Sequence, residues 1–523
     1  MSVSSANQSA NAALQAYEQG QLRDAEALAL QALSEVAGDP RASEVMGLVC
    51  IAERRFVDAI RYLKEGLAVS PSNASLRSLM GTALAGKGRL KTAIGFFQQA
   101  VQAAPDDAAA WENLAKTAYQ LKRWDHARAA FERCCEIDPT NCDAWAGLAR
   151  LNLRGGTLDQ AIEMAKRALE IDSGHVLSQQ AMADAMLQTG DFDSALEHAL
   201  AATQSPAATA KSDVLSFGFA AAASEKLGKF ADAFDFYTKM NEATSEGFAR
   251  SIERLEKMGM HEKLPEVVRT IPAVRALFEE FPQHLQHSAP VMFFGFINSG
   301  MSMINKALIR HPRITSVTKH EYVDEWRDLL TSKDAPQKVL MQSPEDVAYL
   351  REHTWKNVEA VGVHVPNENL GFEYRPFYSQ HIYSVAMVFP DSKYIFMHRD
   401  PRDVVLLSFK RRFTATVSMQ EFLSLERAAE YYDLAMQVVW ETRRHFDLDI
   451  IDVGYDNIIT DPERELRRLV EFLELPWDDA VLGEISQAMP KVTQAPKKWR
   501  QYEKQLEPVR PLLDKWAKRF GYE

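Results

Sequence analysis

Residues 291–311 read VMFFGFINSGMSMINKALIRH, and they decide the fold of the second half of the chain. VMFFGF (291–296) is a short unbroken apolar run, the mark of a strand buried on both faces in a parallel sheet. INSGMSM (297–303) supplies a glycine-containing turn, and INKALIRH (304–311) suits a helix. Strand, turn and helix start together form an anion site: N–H groups of the first helical turn point at the ligand, and the helix dipole favours negative charge. Gly295, Gly300 and Ser302 spell G-x4-G-x-S, but Met301 stands where a nucleoside triphosphatase needs its phosphate-binding lysine. That substitution disfavours an ordinary ATPase or kinase.

A second apolar strand, YIFMH (394–398), runs into RDPRDVVLLSFKRRF, which puts basic residues at a strand's carboxyl end and on the following helix. His398, Arg399 and Asp400 mimic the H-R-D of protein kinases. No asparagine stands five residues after the aspartate, so that match is coincidental. The expectation for residues 288–523 is a P-loop-like α/β domain with a parallel sheet.

Upstream the pattern is different. Ala25, Ala59, Ala93, Ala127, Ala161 and Ala195 recur every 34 residues without a slip, a period that belongs to helix pairs. Gly47, Gly81, Ala115 and Ala149 precede four of them by twelve residues, and Pro71, Pro105 and Pro139 follow three of them by twelve. Small residues let two helices approach closely, and proline ends the second one. Trp111, Leu114, Phe131, Trp145, Leu148, Met80 and Phe97 fall where such pairs need core, although Arg77 takes one tryptophan slot. Gly228, Ala233 and Tyr237 suggest a seventh unit out of phase. Residues 241–287 lose the period but keep apolar spacing, which predicts a helical connector. The expected layout is repeats over 1–240, connector over 241–287 and α/β domain over 288–523, an all-α superhelix joined to an α/β unit.

Composition bounds the function. With 523 residues, 46% hydrophobic and 25% charged, the chain is too large for one core and too apolar for disorder. A net charge of −12 removes general nucleic-acid binding. Cys50, Cys134, Cys135 and Cys142 form neither a disulfide framework nor a zinc spacing, so no metal is expected. No apolar run is long enough to span a bilayer, and the first thirty residues lack a secretory pattern. The expected location is cytoplasmic.

The repeat positions resemble the tetratricopeptide pattern W-x2-L-G…A-x3-F…P. Arrays of that kind stack into a superhelix whose concave wall grips a peptide or protein partner. Helical spacing places Glu112, Lys116, Tyr119, Arg150 and Asp184 on that wall. VMFFGFINSGMSMINKALIRHP, YIFMHRDPRDVVLLSF, VGYDNIITDPERELRRLVEFLELPW and KKWRQYEKQLEPV, in this order behind such repeats, resemble bacterial repeat-bearing sulfotransferases related to protein-tyrosine sulfotransferases. The resemblance implies 3′-phosphoadenosine 5′-phosphosulfate as donor.

It also implies roles residue by residue. The loop that holds the donor's 5′-phosphosulfate falls on residues 295–302. Ser299, Gly300 and Ser302 agree with it, while Asn298 replaces the family's cation and Met301 its first threonine. Glu321 takes the spacing of the general base that deprotonates the acceptor hydroxyl. His364 stands in the segment where the relatives place a lysine facing the sulfuryl group. Arg399 fits the ligand of the donor's 3′-phosphate, and Ser408 comes one residue late for the serine that accompanies it. Lys497, Lys498, Trp499 and Arg500 match the basic loop that closes over the nucleotide. Two readings follow. In the first, the protein is a sulfotransferase acting on a hydroxyl or amine of a protein or carbohydrate acceptor that the repeats recruit. In the second, it is a catalytically impaired relative serving as an interaction scaffold.

Overall fold

The computed structural model describes residues 3–256, 263–277, 289–318, 335–376, 378–413, 419–483 and 497–522. The chain divides into two compact units, Met1–Leu227 and Gly228–Glu523.

The first unit is a run of antiparallel helix pairs, from Val3–Glu18 with Leu22–Glu35 through Val176–Thr189 with Phe192–Gln204, followed by Ala210–Lys226. Its repeat is built from local rules. Asp39, Asn73, Asp107 and Asn141 each cap the first helix of a pair by accepting from a backbone N–H three residues on. The periodic alanines are fully buried, from Ala25 to Ala195. Space at the crossings is short enough to exclude any Cβ: one added at Gly81 would lie 2.7 Å from the Phe97 ring, and one at Gly147 2.4 Å from Phe131. Trp111 Nε1 donates to the Pro105 carbonyl at 2.9 Å, and Trp145 repeats the bond to Pro139 one period later. Arg77, in the same slot, donates to the Gln99 carbonyl instead. On the face expected to line the array's wall, Lys116 bridges Glu112 and Asp143, and the Arg150 guanidinium lies 4.8 Å from the Tyr119 ring centre.

Among the described residues the second unit holds five parallel strands, β1 (Val291–Gly295), β2 (Ile314–Ser316), β3 (Leu370–Arg375), β4 (Lys393–His398) and β5 (Asp449–Gly454), in the order β2-β3-β1-β4-β5. Phe293 pairs in register with Tyr374 on one side and Ile395 on the other. Every β1 residue is buried, as the unbroken apolar run requires. One face of the sheet, with Phe293, Phe372, Ile395, Met397 and Val453, packs on Ile304, Leu466 and Leu469; each such side chain contributes roughly 1.5–3 kcal/mol by leaving water. The helix Phe230–Gly247, whose Ala233 and Tyr237 suggested a seventh repeat, makes contacts of the second unit: Phe234 stacks on Phe409 with ring centres 5.0 Å apart, and Asn241 donates to the Phe409 carbonyl. The expected connector region contains the helices Ala249–Glu256 and Leu264–Leu277. No described helix is long and apolar enough to cross a membrane.

Candidate functional site

The site forms at the carboxyl ends of β1, β4 and β5, where parallel strands hand over to loops and helix starts. After Gly295 the chain turns through Asn298 at φ 65° and Gly300 at φ 99°, then enters the helix Met301–Leu308. Two left-handed residues in three steps bend the backbone sharply, and at Gly300 only glycine fits. A Cβ there would lie 2.6 Å from the Tyr455 ring, on top of the steric cost of positive φ. Gly295 is equally confined, since its Cβ would come within 2.5 Å of the Met397 carbonyl.

The side chains of this turn divide in purpose. Met301 is buried and joins the core beside Ile304, so it offers the site only its backbone. Ser302 is exposed in the first helical turn. Ser299 is 1% exposed, yet among the described residues its hydroxyl has no hydrogen-bond partner, an arrangement that costs about 1–3 kcal/mol unless something else fills the role. Asn298 is held from two directions. Its Nδ2 donates to Ser408 Oγ at 2.9 Å, and its Oδ1 accepts from Arg411 Nη1 at 3.2 Å. Ser408 is fully buried and in turn donates to the Val404 carbonyl.

Arg399 leaves β4 and lies over the Tyr455 ring, 4.2 Å from its centre. Because the same ring abuts Gly300, Tyr455 touches both the turn and Arg399. The Arg399 guanidinium is 3.6 Å from Asp403 Oδ2. Burial pushes the Asp403 carboxyl up to about 6, against the opposing pull of Arg399 and of the Trp499 N–H that it accepts. Asp456 is also raised, by burial and then by Asp400, while Lys497 and Arg399 pull it down. His398, stacked on Phe520, is lowered to about 4 by burial.

The C-terminal basic segment docks on the same corner. Trp499 is 3% exposed and lies beneath Arg402, whose guanidinium carbon is 4.0 Å from the indole centre. Lys497 is half-buried, whereas Lys498 and Arg500 are exposed. Arg402 also pairs with Asp400 and Asp514 and donates to the Tyr522 carbonyl.

Asn298, Ser299, Gly300, Met301, Ser302, Arg399, Ser408 and the segment 497–500 therefore gather around one corner of the sheet. His364 does not. It is exposed in the segment ahead of β3, where Val363 and Val365 pack on Val317, Trp355 and Val358, and no contact among the described residues joins it to the turn. Glu321 lies outside the described residues. Sequence reasoning passed over Tyr455, Asp403, Arg411 and the Glu373–Arg375 pair at the end of β3, whose atoms approach to 2.5 Å. A signal for the first was present: VGYD carries a tyrosine immediately after a strand. Among the described residues no cluster of histidine, cysteine or acidic side chains is arranged to hold a metal ion.

Comparisons with known proteins agree with this fold. Residues 290–479 match the family model described as Sulfotransferase family, and tetratricopeptide repeat models match 11–74, 45–108, 78–141 and 130–163. The protein-tyrosine sulfotransferase of Drosophila melanogaster is 32% identical over 99 residues, covering 19% of this chain and 19% of that one. Protein-tyrosine sulfotransferase A of Caenorhabditis elegans is 29% identical over 109 residues, 20% of this chain and 28% of that one. An uncharacterized protein of Aquifex aeolicus is 28% identical over 148 residues, 26% of this chain and 19% of that one. The chain thus spans less than a third of the length of each of these relatives. It joins tetratricopeptide repeats to a domain of the sulfotransferase family.

Proposed function

We propose that this protein moves a sulfuryl group from 3′-phosphoadenosine 5′-phosphosulfate to a hydroxyl or amine of a protein or carbohydrate acceptor, and that the repeats recruit the acceptor. One observation carries the reading: a tight left-handed turn presents the first helical N–H groups and a buried Ser299 hydroxyl that has no hydrogen-bond partner among the described residues, and a tyrosine links it to Arg399. A donor with an anionic group at each end fits such a pair of sites. The turn would take the phosphosulfate and Arg399 the 3′-phosphate, with Lys497, Lys498 and Arg500 adding positive charge and Trp499 anchoring their segment.

In the transfer, the acceptor oxygen forms a bond to sulfur while the bond from sulfur to the bridging phosphate oxygen breaks. The electron pair stays on the phosphate, and the acceptor proton leaves to a base, the role assigned to Glu321. The protein's part is positioning together with hydrogen bonds and cations aimed at the developing charge. Ser408 serves as a strut, since its hydroxyl already donates to Val404 and accepts from Asn298.

The scaffold reading draws on one feature: the loop itself contains no basic side chain. Thermal unfolding with added 3′-phosphoadenosine 5′-phosphate separates an intact donor site from an inert one, because binding to the folded state alone raises the midpoint. Labelled-sulfate transfer by the native chain and by Glu321→Ala then divides enzyme from scaffold. A midpoint that ignores the nucleotide defeats the donor site, and an unchanged rate in Glu321→Ala removes that residue from its role.

A further inference from the structure

A cleft separate from the donor corner opens in the second unit. It holds about 670 Å³ among the helices Leu264–Leu277, Leu425–His445 and Arg510–Arg519, a size that suits a small molecule. No residue of the turn 295–302, nor Arg399, Ser408 or the segment 497–500, lines it. The helix Leu425–His445 contributes Trp440 and Glu441 from its last two turns, where the chain heads for the amino end of β5.

Its charge runs against that of the chain. The protein carries −12 overall, yet Lys515, Lys518 and Arg519 line the cleft against one carboxylate, Glu441. Lys515 is spent on Asp433 at 2.6 Å. Lys518 and Arg519 are exposed, and among the described residues neither pairs with a carboxylate. Arg519 is nevertheless held in place: its guanidinium carbon lies 3.9 Å from the centre of the Trp440 ring and 5.6 Å from that of Trp516. Stacking occupies the face of a guanidinium and leaves the N–H donors, which lie in its plane, open to an anion. The helix dipole accounts for two cations in the last turn of Arg510–Arg519. It does not account for stacking one of them on tryptophan inside a cleft.

The remaining lining asks for hydroxyl groups. Gln437 donates its Nε2 to Asp433 Oδ2 at 2.9 Å, which leaves its carbonyl oxygen to accept. Glu441 is also an acceptor, and its charge is met by His445 at 3.4 Å. Val268 and the half-buried Trp440 supply an apolar wall, against which the C–H face of a sugar ring can lie. We propose that this cleft binds a sugar bearing a phosphate or sulfate monoester, with the ester on Lys518 and Arg519 and the ring hydroxyls donating to Gln437 and Glu441. The site is independent of the donor reading above.

The experiment is titration calorimetry on the full chain with glucose 6-phosphate, glucose 6-sulfate, glucose and inorganic phosphate. At least one of the two esters should bind about tenfold or more tighter than glucose and than inorganic phosphate, since only an ester engages both the cations and the acceptors. Arg519→Gln should weaken the ester about tenfold, in line with loss of a charge-assisted contact. Lys518→Gln should weaken it severalfold; it leaves the stack on Trp440 untouched, so it keeps the test open if Arg519→Gln loosens the helix. Esters that bind no tighter than inorganic phosphate overturn the site, as does ester affinity that survives both substitutions.

Discussion

Asn298 and Ser408 are 110 residues apart in the chain and meet through a 2.9 Å hydrogen bond. The bond fastens the turn after β1 to the helix after β4, and it joins two positions that each depart from the family's usual pattern. Because Ser408 is fully buried, its removal cannot be made good by solvent. Ser408→Ala should cost about 1–3 kcal/mol by stripping partners from buried polar groups and should lower the unfolding midpoint by several degrees. A midpoint equal to that of the native protein would show that the strut is dispensable.

Gly300 sits at φ 99° against Tyr455. Gly300→Ala combines a left-handed penalty of about 1–2 kcal/mol with a collision that must push the ring aside. Since Tyr455 also carries Arg399, nucleotide affinity should fall together with stability. Calorimetry showing native affinity in this variant would disconnect the turn from Arg399.

Arg399→Ala should lower affinity for 3′-phosphoadenosine 5′-phosphate about ten- to a hundredfold, the span expected for a hydrogen-bonded charge. Arg399→Lys should recover little of it, because an ammonium group does not reproduce the planar stack on Tyr455. Full recovery in the lysine variant would mean that charge alone suffices at this position.

The acidic corner has a signed pH dependence. Asp403 is raised from its usual range to about 6, so the folded state holds its proton where the unfolded chain has lost it. Its contribution to stability is fully present below about pH 4 and is lost as pH climbs through about 6. Asp403→Asn should flatten this decline and relieve roughly 2–3 kcal/mol at pH 7, read as a midpoint that falls less between pH 4 and 7 than in the native chain. A steeper decline in the asparagine variant would reverse the sign and refute the mechanism.

In the repeats, Trp145→Phe keeps most of the apolar surface and deletes the bond to the Pro139 carbonyl. A loss of about 0.5–1.5 kcal/mol is expected in the unfolding of residues 1–227. Denaturant titration of the full chain, followed by the fluorescence of the remaining tryptophans, measures it.

The repeat array was readable because its rule is short-range: one alanine per 34 residues fixes how closely two helices pack, and all six are buried as that rule requires. β1 and β4 were equally plain, since a strand covered on both faces must be apolar throughout. The site was harder, because its joints are long-range. Asn298 looked like a missing cation until Arg411 and Ser408 were seen to meet on it, and nothing local in FKRRF announces that meeting. His364 was drawn in by a neighbouring proline and asparagine that suggested a loop near the sulfuryl group, yet Val363 and Val365 tie its segment to Val317 and Trp355.

Arg402 grips Asp400, Asp514, the Trp499 ring and the Tyr522 carbonyl with one guanidinium. Residues 497–522 and the strand end that bears Arg399 are thereby coupled: neither can open without breaking the same hub. Their amide protons should exchange at a common rate, as one cooperative patch within the larger unit. Any departure of the lysine-rich segment for nucleotide entry would then loosen the arginine's footing at the same moment.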